Sequence, residues 1–550
     1  MFPSWDEPAL KATFNISVKH HQKYKVLSNM PLRDQYMDED GMMWAHFNIT
    51  PIMSTYLVAI VLSEYDRVSN ADETVNIWCK SSMTSQIEFA HSVAENVEQL
   101  LIQYTNISRQ VPKMDHVTIP SFPHNGMGNW GLILYNERTL MHSSTDPALR
   151  RKYTASLVAH ELVHQWFGNL VTPSWWSHVW LSEGFAVFLE TYLLDKMFDW
   201  QIMDFFVLEK LHVCFELNFG FYMDSVVLEN NLRTELLFSY EVYFKAPVIL
   251  RMLQHIVTDD VFRYGIILYL NTHKFRSATS DDLWVALQDA LDKKSLPHNN
   301  YKIKEVMDTW IKQKTYPLVN VTRNYTTGEV IISQRSSTVK VIISQRSSNL
   351  KKRVETKYVN DDSIKWWVPV TFATQTNPDF SNTSPRYWLK PQDQNISFQI
   401  DTNDWIIVNL QQTGYYLVNY DYTNWQRIAR YLNSEEYTKI HVLNRAQIIY
   451  DAFIHLVKDQ LDASIFINIT NYLSRETDYV AWYSMFEILS VLSQFFMMPE
   501  TEAFKLHMAG ILNGLLQNTG YEENPKDDIT KVRRLDAMKW HVSLIIRISR

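Results

Sequence analysis

One run of residues, HELVHQWFGN, restricts the fold of this chain more than any other. It places His160 and His164 four positions apart, and residues at that spacing on a helix project from the same face. Both imidazoles can therefore bind one ion, with Glu161 beside them. The same pattern arises by chance in ordinary amphipathic helices, in on the order of a few per cent of such chains, so the pair alone is only moderately specific. The run predicts a helix that carries two metal ligands.

A second run, WLSEGFAVFLETYLL, contains a candidate for the third ligand. Residues 165–182 separate Glu183 from His164, and Ser182 can cap a new helix whose first turn contains Glu183. Two histidines and one glutamate are a known ligand set for catalytic zinc, which keeps a fourth position open for water. Zinc lowers the pKa of that water, and Glu161 can take its proton and pass it to the leaving amine. These residues predict one Zn²⁺ per chain and amide hydrolysis without a covalent intermediate.

The helix that carries the histidines has the clearest predicted boundaries. Asp146 is its predicted N-cap and Pro147 its first residue, a position that favours proline. The helical spacing of apolar residues continues to Phe167, and Gly168 predicts the end.

Length and composition narrow the function classes. A chain of 550 residues predicts several domains, and 46% apolar residues predict a folded globular protein. The net charge of -8, without a long block of Lys or Arg, argues against nucleic acid as a partner. Cys79 and Cys214 are too few for a disulfide framework.

Several Asn-x-Ser/Thr motifs favour a secreted or cell-surface glycoprotein, although Pro follows two of them. They begin at Asn15, Asn48, Asn106, Asn320, Asn324, Asn382, Asn395 and Asn468. No apolar run approaches the ~18 to 20 residues of a membrane span, and the first residues lack the features of a signal peptide. We therefore expect any signal or membrane anchor to lie outside this sequence.

Periodicity divides the chain into four predicted regions. Residues 1–72 alternate as antiparallel strands do and form a partial β domain, and residues 73–315 mix helical and strand patterns. Residues 316–402 return to strands and form a small β-sandwich, whereas residues 403–550 are mostly helical. The predicted fold class is multidomain α+β.

Together these runs resemble the aminopeptidase N family of zinc metalloaminopeptidases, which are gluzincins, and especially its insect-type membrane members. In the family's order, FPSWDEPALKATFNISV resembles the first β domain, NWGLILYNE the exopeptidase segment, VYFKAPVILRML the segment of the catalytic tyrosine, and QQTGYYLVNYD with LNRAQIIYDAF the C-terminal half. The resemblance covers essentially the whole chain. It implies a thermolysin-like domain at residues 73–315, a helical-repeat-like C-terminal domain, peptide substrates and a plasma-membrane or secreted ectoprotein.

By that resemblance, Tyr243 is expected to stabilise the oxyanion that forms when the scissile carbonyl is attacked. Without the resemblance, Tyr243 is one core aromatic residue among 29 tyrosines. Tyr240 and Tyr415 or Tyr416 have no matching segment, and we expect them to serve packing.

The exopeptidase motif departs from the family at its functional position. The family reads Gly-Ala-Met-Glu-Asn there and binds the substrate's free amine with the Glu, but this chain reads Asn125-Gly126-Met127-Gly128-Asn129. Gly128 therefore removes the amine ligand, and the loss of one side of a buried charge pair costs about 2 to 5 kcal/mol. We expect a weakened aminopeptidase in which residues 126–129 still line the cleft and bind an extended peptide through their backbone.

Both ends of the sequence also depart from the family. In family members, strands that carry a Gln for the substrate amine precede the FPSWDEPALKATF segment, and the helical domain usually continues beyond the position of Arg550. We therefore expect a chain truncated at both ends, as a natural short form or an incomplete gene. Ser182 replaces the usual Asn, and His178 replaces the Asp of many membrane members. We expect His178 at the surface or behind the ligands rather than as a fourth ligand.

Three functional hypotheses remain open. The first is a zinc aminopeptidase, which the retention of Glu161 and Tyr243 favours. The second is a catalytically impaired zinc-binding paralogue that acts as a binding or receptor-like ectoprotein, which Gly128 favours. The third is an endopeptidase, because loss of the amine ligand removes a restriction to chain ends. Side-chain preference, a possible homodimer and the type of membrane anchor stay open.

Overall fold

A computed structural model gives the fold of the chain in two compact units. It describes residues 2–143, 146, 148–220, 223–227, 239–294, 301–337, 339–344, 355–360, 363–519 and 528–548. The first unit contains Met1–Met203 and Ser225–Glu305, and the second contains Asp204–Asp224 and Val306–Arg550. None of the helices described is both long and apolar enough to cross a membrane.

Short strands make up much of the first unit. They are β1 (Ser17–His20), β2 (Lys25–Ser28), β3 (Leu32–Met37), β4 (Met43–Phe47), β5 (Ile60–Ser63), β6 (Asp66–Ser69), β7 (Val75–Cys79), β8 (Met114–Ile119), β9 (Gly126–Met127), β10 (Leu132–Asn136), β11 (Thr172–Pro173) and β12 (Ser277–Ala278). The strands of the second unit are β13 (Pro317–Arg323), β14 (Glu329–Ser336), β15 (Val339–Ser344), β16 (Glu355–Asn360), β17 (Val368–Val370), β18 (Phe372–Thr374), β19 (Tyr387–Leu389), β20 (Ile396–Gln399), β21 (Ile406–Val408) and β22 (Leu417–Tyr420).

Helices follow in both units. In chain order they are α1 (Glu88–Thr105), α2 (Glu137–Leu140), α3 (Ala148–Val163), α4 (Trp180–Met197), α5 (Ile202–Phe206), α6 (Val213–Gly220), α7 (Ala246–Val257), α8 (Asp259–His273), α9 (Ser280–Asp292), α10 (Ile303–Ile311), α11 (Tyr422–Leu432), α12 (Val442–Val457), α13 (Ala463–Thr470), α14 (Tyr479–Leu492), α15 (Glu502–Thr519) and α16 (Asp528–Ile548). This mixture of strands and helices confirms the predicted α+β class.

A five-stranded sheet in the first unit supports one wall of the functional site. Its strand order is β6-β7-β8-β10-β9, with β7, β8 and β10 parallel and the two outer strands antiparallel to their neighbours. The central strand β8 is almost entirely buried, as expected for a strand covered on both faces. The short strand β9 forms one edge of this sheet.

Four helices of the first unit pack together behind the functional site. Helix α3 packs against α1 and α4, and α4 also packs against α7. Helix α4 is apolar almost all the way round and is buried over most of its length, which is typical of a core helix. Its position therefore fixes the few polar side chains that it carries.

The second unit combines a four-stranded sheet with a helical C-terminal part. The sheet has the order β20-β14-β13-β22, so β20 lies at an edge and β13 lies inside. Helices α11 to α16 follow, and neighbouring pairs such as α12 with α14 and α15 with α16 pack together.

Candidate metal centre

The two predicted histidine ligands lie at the C-terminal end of α3. His160 is in its last turn, and α3 ends at Val163 rather than at Phe167 as predicted. The backbone nitrogen of His164 still donates to the carbonyl oxygen of His160 at 3.2 Å, so His164 keeps its helical position relative to His160. The two rings have their centroids 4.7 Å apart and are almost perpendicular, at 84°. The predicted helix start at Asp146 and Pro147 is not tested, because Pro147 lies outside the described residues.

Glu183 reaches the same point from the first turn of α4. Its Oε2 atom lies 3.3 Å from Nε2 of His160 and 3.3 Å from Nε2 of His164. The two Nε2 atoms are 3.1 Å apart. In the described part of the chain, these three residues form the group of ligand-type side chains whose donor atoms converge. They are called the metal centre below.

Glu190 stands behind the metal centre and was missed by the sequence reasoning. It follows Glu183 by two turns of α4, and its Oε2 accepts a hydrogen bond from Nδ1 of His160 at 2.8 Å. A carboxylate in this position fixes the tautomer of a metal-binding histidine and makes the other ring nitrogen a better ligand. The available signal was the spacing between 183 and 190, which returns a helical side chain to the same face.

Ser182 holds the second histidine, and the prediction that it caps α4 is wrong. Because Val179 is already helical in conformation, α4 begins at Trp180 and encloses Ser182 in its first turn. The Ser182 hydroxyl donates to the carbonyl oxygen of Phe167 at 3.0 Å and lies 3.1 Å from Nδ1 of His164. That Nδ1 is also 3.1 Å from the same carbonyl oxygen. Ser182 therefore orients His164.

The three donor atoms are spaced as one tetrahedral cation requires. Ligand atoms about 2.0 to 2.1 Å from such an ion are about 3.3 Å from one another, which is the spacing described above. Each Nδ1 has its own partner, which leaves each Nε2 facing the common point. Burial opposes a charge on His160, yet hydrogen bonds to Glu183 and Glu190 raise the pKa of His160 well above its ordinary value. The surroundings thus favour a positive charge at the metal centre.

Glu161, the predicted general base, lies beside these donors. It is 4% exposed and lines the same cleft. Burial raises the pKa of its carboxyl to about 7, whereas positive charge on His160 and His164 acts in the opposite direction. A carboxyl group that titrates near neutral pH can both accept and return a proton.

Tyr243, the predicted oxyanion donor, comes from a π-helical turn, Glu241–Lys245, that leads into α7. Such turns are frequent at functional sites. Its ring lies 6.3 Å from that of His160, and its hydroxyl hydrogen-bonds to Glu183. Burial and then the charge of Glu183 raise the pKa of this hydroxyl far above its ordinary value, so it keeps its proton at neutral pH.

The other residues considered in the sequence do not line this cleft. Tyr240 is 55% exposed, whereas Tyr415 and Tyr416 are buried inside the second unit. Nδ1 of His178 lies 3.0 Å from the hydroxyl of Ser280. His178 therefore stands apart from the metal centre.

The cleft has a volume of about 150 Å³, and one of its walls comes from β9. Gly126, Met127 and Gly128 line this wall. Asn129 does not, because it is 4% exposed and turns its amide to the carbonyl oxygen of Tyr56 at 3.3 Å. The segment predicted to contact substrate is thus divided between a lining part and a buried part.

The two glycines of this wall lie close to Glu161, the predicted general base. A Cβ atom on Gly126 would lie 2.2 Å from Oε1 of Glu161. A Cβ atom on Gly128 would lie 2.9 Å from Cβ of His164 and 3.2 Å from the backbone oxygen of Glu161. Strand β9 therefore approaches α3 more closely than side chains at these positions would permit.

Two amide side chains hold this wall against the helix, and neither was predicted to matter. Nδ2 of Asn169 donates to the carbonyl oxygen of Gly128 at 2.8 Å, and Nε2 of Gln165 approaches the same oxygen at 3.3 Å. Nζ of Lys11 lies 3.4 Å from the backbone oxygen of Asn169. Both amides belong to the HELVHQWFGN run, which therefore supplies the ligands and also the contacts that position the cleft wall.

Another part of the cleft is mainly apolar. Tyr56 and Trp176 line it, with ring centroids 5.4 Å apart, and the Tyr56 hydroxyl donates to the carbonyl oxygen of Gly168 at 3.1 Å. Leu57 and Val179 complete this apolar surface.

Sequence profiles of three protein domains match the chain. The Peptidase family M1 domain matches residues 89–310, the Peptidase M1 N-terminal domain matches residues 1–57, and the ERAP1-like C-terminal domain matches residues 405–544. The first of these ranges contains the metal centre, Glu161 and Tyr243.

Curated relatives align with most of the chain. Aminopeptidase N of Plutella xylostella is 32% identical over 498 residues, which cover 88% of this chain and 50% of that protein. Aminopeptidase Ey of Gallus gallus is 34% identical over 498 residues, 88% of this chain and 49% of that protein. Aminopeptidase Q of Homo sapiens is 33% identical over 503 residues, 88% and 48% respectively. The chain thus spans about half the length of these relatives.

Proposed function

Because this chain belongs to the M1 peptidase family, we propose that it is a zinc-dependent aminopeptidase that hydrolyses the first bond of peptides. The observation that carries the proposal is the convergence of the three donor atoms of the metal centre, 3.1 to 3.3 Å apart, with Glu161 and Tyr243 beside them. A protein that only binds peptides has no need for a buried base and a buried hydroxyl donor at the same point.

The chain's own residues have distinct roles in this proposal. His160, His164 and Glu183 would hold Zn²⁺. When bound, the ion would act as a Lewis acid and lower the pKa of a bound water molecule. Glu161 takes a proton from the attacking water and delivers it to the departing nitrogen. Tyr243 turns its hydroxyl from Glu183 to the oxygen of the carbonyl under attack, where negative charge develops.

The substrate's free amine is held differently from the way the family motif holds it. Gly128 offers no carboxylate, so the amine lacks the ion pair that the family motif provides. The backbone of β9 can align an extended peptide, since an edge strand accepts a further strand. We therefore expect a weak aminopeptidase rather than an efficient one.

A second candidate function is a zinc-bearing paralogue whose present role is peptide binding. The observation that favours it is Gly128, which lacks a carboxylate. The two functions share the metal centre and differ in turnover.

We place the protein outside the cell or at the cell surface. The Asn-x-Ser/Thr motifs support this setting. Peptides are the proposed partners.

Hydrolysis of alanyl and leucyl anilides by zinc-loaded protein tests the proposal, with the N-acetylated anilides as matched controls. Aminopeptidase action requires cleavage of the free substrates and much slower cleavage of the acetylated ones. Peptide binding without cleavage of either form would favour the second function. Equal cleavage of both forms would indicate an endopeptidase.

A further inference from the structure

The dipeptide Asn-Gly occurs twice in the chain, at Asn125–Gly126 where the cleft wall begins and at Asn513–Gly514 in α15. This dipeptide is prone to deamidation, because the backbone nitrogen of a residue without Cβ can approach the side-chain carbon of the preceding asparagine. We propose that Asn125 is deamidated in the folded protein, which places a new carboxylate beside the cleft, and that Asn513 is protected. The modification does not depend on the proposed function, whereas its effect on substrate binding rests on it.

The side chain of Asn125 is free to react. Asn125 is exposed and lies in a bend directly before β9. Its backbone oxygen accepts hydrogen bonds, but its side-chain amide has no hydrogen-bond partner among the described residues. Residues 124 and 126, on either side of it, both line the cleft. A change of charge at Asn125 therefore occurs at the rim of the cleft.

The attacking backbone nitrogen, that of Gly126, is not held by the sheet. Asn125 accepts from the backbone nitrogen of Asn136 at 3.0 Å, and Asn129 accepts from that of Leu132 at 3.2 Å. In an antiparallel pair, hydrogen-bonded and non-bonded positions alternate along each strand. Because residues 125 and 129 are at bonded positions, Gly126 is at a non-bonded one, opposite Tyr135. Its N–H therefore points away from β10.

The reaction needs only water. The backbone nitrogen of Gly126 loses its proton and attacks Cγ of Asn125. A bond from this nitrogen to Cγ forms, the bond from Cγ to Nδ2 breaks, and Nδ2 takes up protons and leaves as ammonia. The product is a cyclic imide. Water then opens the ring at one of its two carbonyl carbons, which gives either aspartate or isoaspartate at residue 125.

Asn513 is the matched control that the chain itself provides. It is exposed like Asn125 and is also followed by glycine, but both residues lie inside α15. Within a helix the backbone N–H of each residue donates to the carbonyl oxygen four residues earlier. Ring closure at Asn513 therefore requires that this part of α15 opens first, and such opening costs free energy.

The new carboxylate changes the charge of the cleft by one unit. Gly128 supplies no carboxylate for the substrate's amine, and a negative charge at residue 125 lies close to the same wall. It cannot replace a direct ion pair, because it is three positions away from Gly128 along the chain. It attracts a positively charged amine from a greater distance, and we expect the KM of free-amine substrates to fall about twofold to tenfold.

The test is peptide mapping of the zinc-loaded full chain after incubation at neutral pH in heavy-oxygen water. Opening of the imide incorporates one solvent oxygen, which mass spectrometry locates. We expect labelled aspartate or isoaspartate to appear at residue 125 at least about tenfold faster than at residue 513. In protein unfolded by urea, both residues should acquire label at similar rates. Equal rates in the folded protein, or labelling of residue 125 only after unfolding, would overturn the proposal.

Two variants separate the modification from its effect. Asn125→Gln should acquire no label at residue 125, because its longer side chain closes the five-membered ring no more. Asn125→Asp carries the product charge from the start and should lower the KM for alanyl anilide relative to Asn125→Gln. An equal KM in the two variants would contradict the effect on the cleft. Absence of hydrolysis in every form would instead refute the proposed function, and the labelling result would stand by itself.

Discussion

The two histidines of the metal centre are held by different kinds of partner. Nδ1 of His160 donates to the carboxylate of Glu190 at 2.8 Å, whereas Nδ1 of His164 faces the neutral oxygens of Ser182 and Phe167, each at 3.1 Å. Hydrogen bonds to charged acceptors are roughly twice as strong as neutral ones. His160 is therefore the more strongly oriented ligand, and Glu190 should matter more than Ser182.

Glu190→Gln tests this difference. We expect the substitution to weaken zinc binding about tenfold to a hundredfold, because it removes the carboxylate that orients His160. Competition with a chelator of known affinity measures the change. Ser182→Ala is the matched control and should cost less, since the carbonyl oxygen of Phe167 still faces His164. Equal losses in the two variants would contradict the proposed order.

The convergence of the three predicted ligands was easier to predict from the sequence than the residues that support them. His160, His164 and Glu183 follow a spacing that the metal itself imposes. Glu190 and Ser182 act across the contact between two helices, and one-dimensional spacing does not show which face of α4 turns towards α3. The local rule that Ser caps helices also favoured the wrong role for Ser182.

His116 is a second residue whose charge is controlled by burial. It lies in β8, is fully buried, and has Nδ1 3.0 Å from the hydroxyl of Tyr135. Burial lowers its pKa to about 3 from the ordinary value of 6.5. Between these pH values the unfolded chain binds a proton that the folded chain does not. The histidine therefore lowers the free energy of unfolding as the pH falls.

His116→Phe isolates this effect, since Phe can keep a ring against Tyr135 but cannot bind a proton. As the pH falls from 6 to 4, the variant should gain about 1.4 kcal/mol per pH unit relative to the original protein. The quantity to follow is the free energy of unfolding of the variant minus that of the original protein, and the prediction concerns how this difference changes with pH. A cost of the substitution that is the same at every pH therefore does not affect it. Urea unfolding at several pH values measures it, and parallel pH curves for the two proteins would refute it.

At the scale of elements, the contact between β9 and α3 shapes the cleft. The two glycines of the wall bring the strand against Glu161 and His164, and the amides of Gln165 and Asn169 hold it there. The two glycines meet different obstacles. Beside Gly126 lies only the side chain of Glu161, whereas beside Gly128 lie Cβ of His164 and the backbone oxygen of Glu161, which the main chain fixes, in addition to the Glu161 carboxylate.

Gly126→Ala and Gly128→Ala add the same methyl group to these two positions. We expect Gly128→Ala to lower the free energy of unfolding by about 1 to 3 kcal/mol, because the strand itself must move. Gly126→Ala should cost less stability and instead displace the Glu161 carboxylate, which would appear in turnover. Thermal unfolding and anilide hydrolysis measure the two effects. Greater destabilisation by Gly126→Ala would contradict this account.

The end of α3 shows where reasoning from patterns fails at this scale. Apolar spacing predicted helix to Phe167, but the backbone nitrogens of Gln165 and Trp166 bond to Leu162 and Val163, three residues earlier. These tighter turns end the helix at Val163, immediately before His164. The apolar side chains that continued the pattern are buried by tertiary packing, which can follow helical spacing without a helix.

At the scale of the whole molecule, every residue of the metal centre belongs to the first unit. The segment Asp204–Asp224 groups with the second unit, although it lies between parts of the first in the sequence. A pattern of apolar residues shows that a segment is buried but not which neighbour buries it. The sequence therefore could not show which segments of the chain form each unit, although it did predict the α+β class.

Zinc should stabilise one unit selectively. Binding to the folded state alone adds about 2.7 kcal/mol when free zinc is a hundredfold above its dissociation constant. Hydrogen exchange with zinc or with a chelator should therefore show slower exchange in α3 and α4 and little change in α12 and α14. Equal changes in all four helices would contradict a single site in the first unit.

The most direct test of the account is a zinc titration of metal-free protein in which bound zinc and alanyl anilide hydrolysis are measured together. We predict that hydrolysis rises with bound zinc and saturates at one ion per chain. Glu161→Gln protein should bind the same amount of zinc and hydrolyse the substrate at least about a hundredfold more slowly, because the proton acceptor is lost. Hydrolysis without zinc, or an undiminished rate in Glu161→Gln protein, would contradict the account.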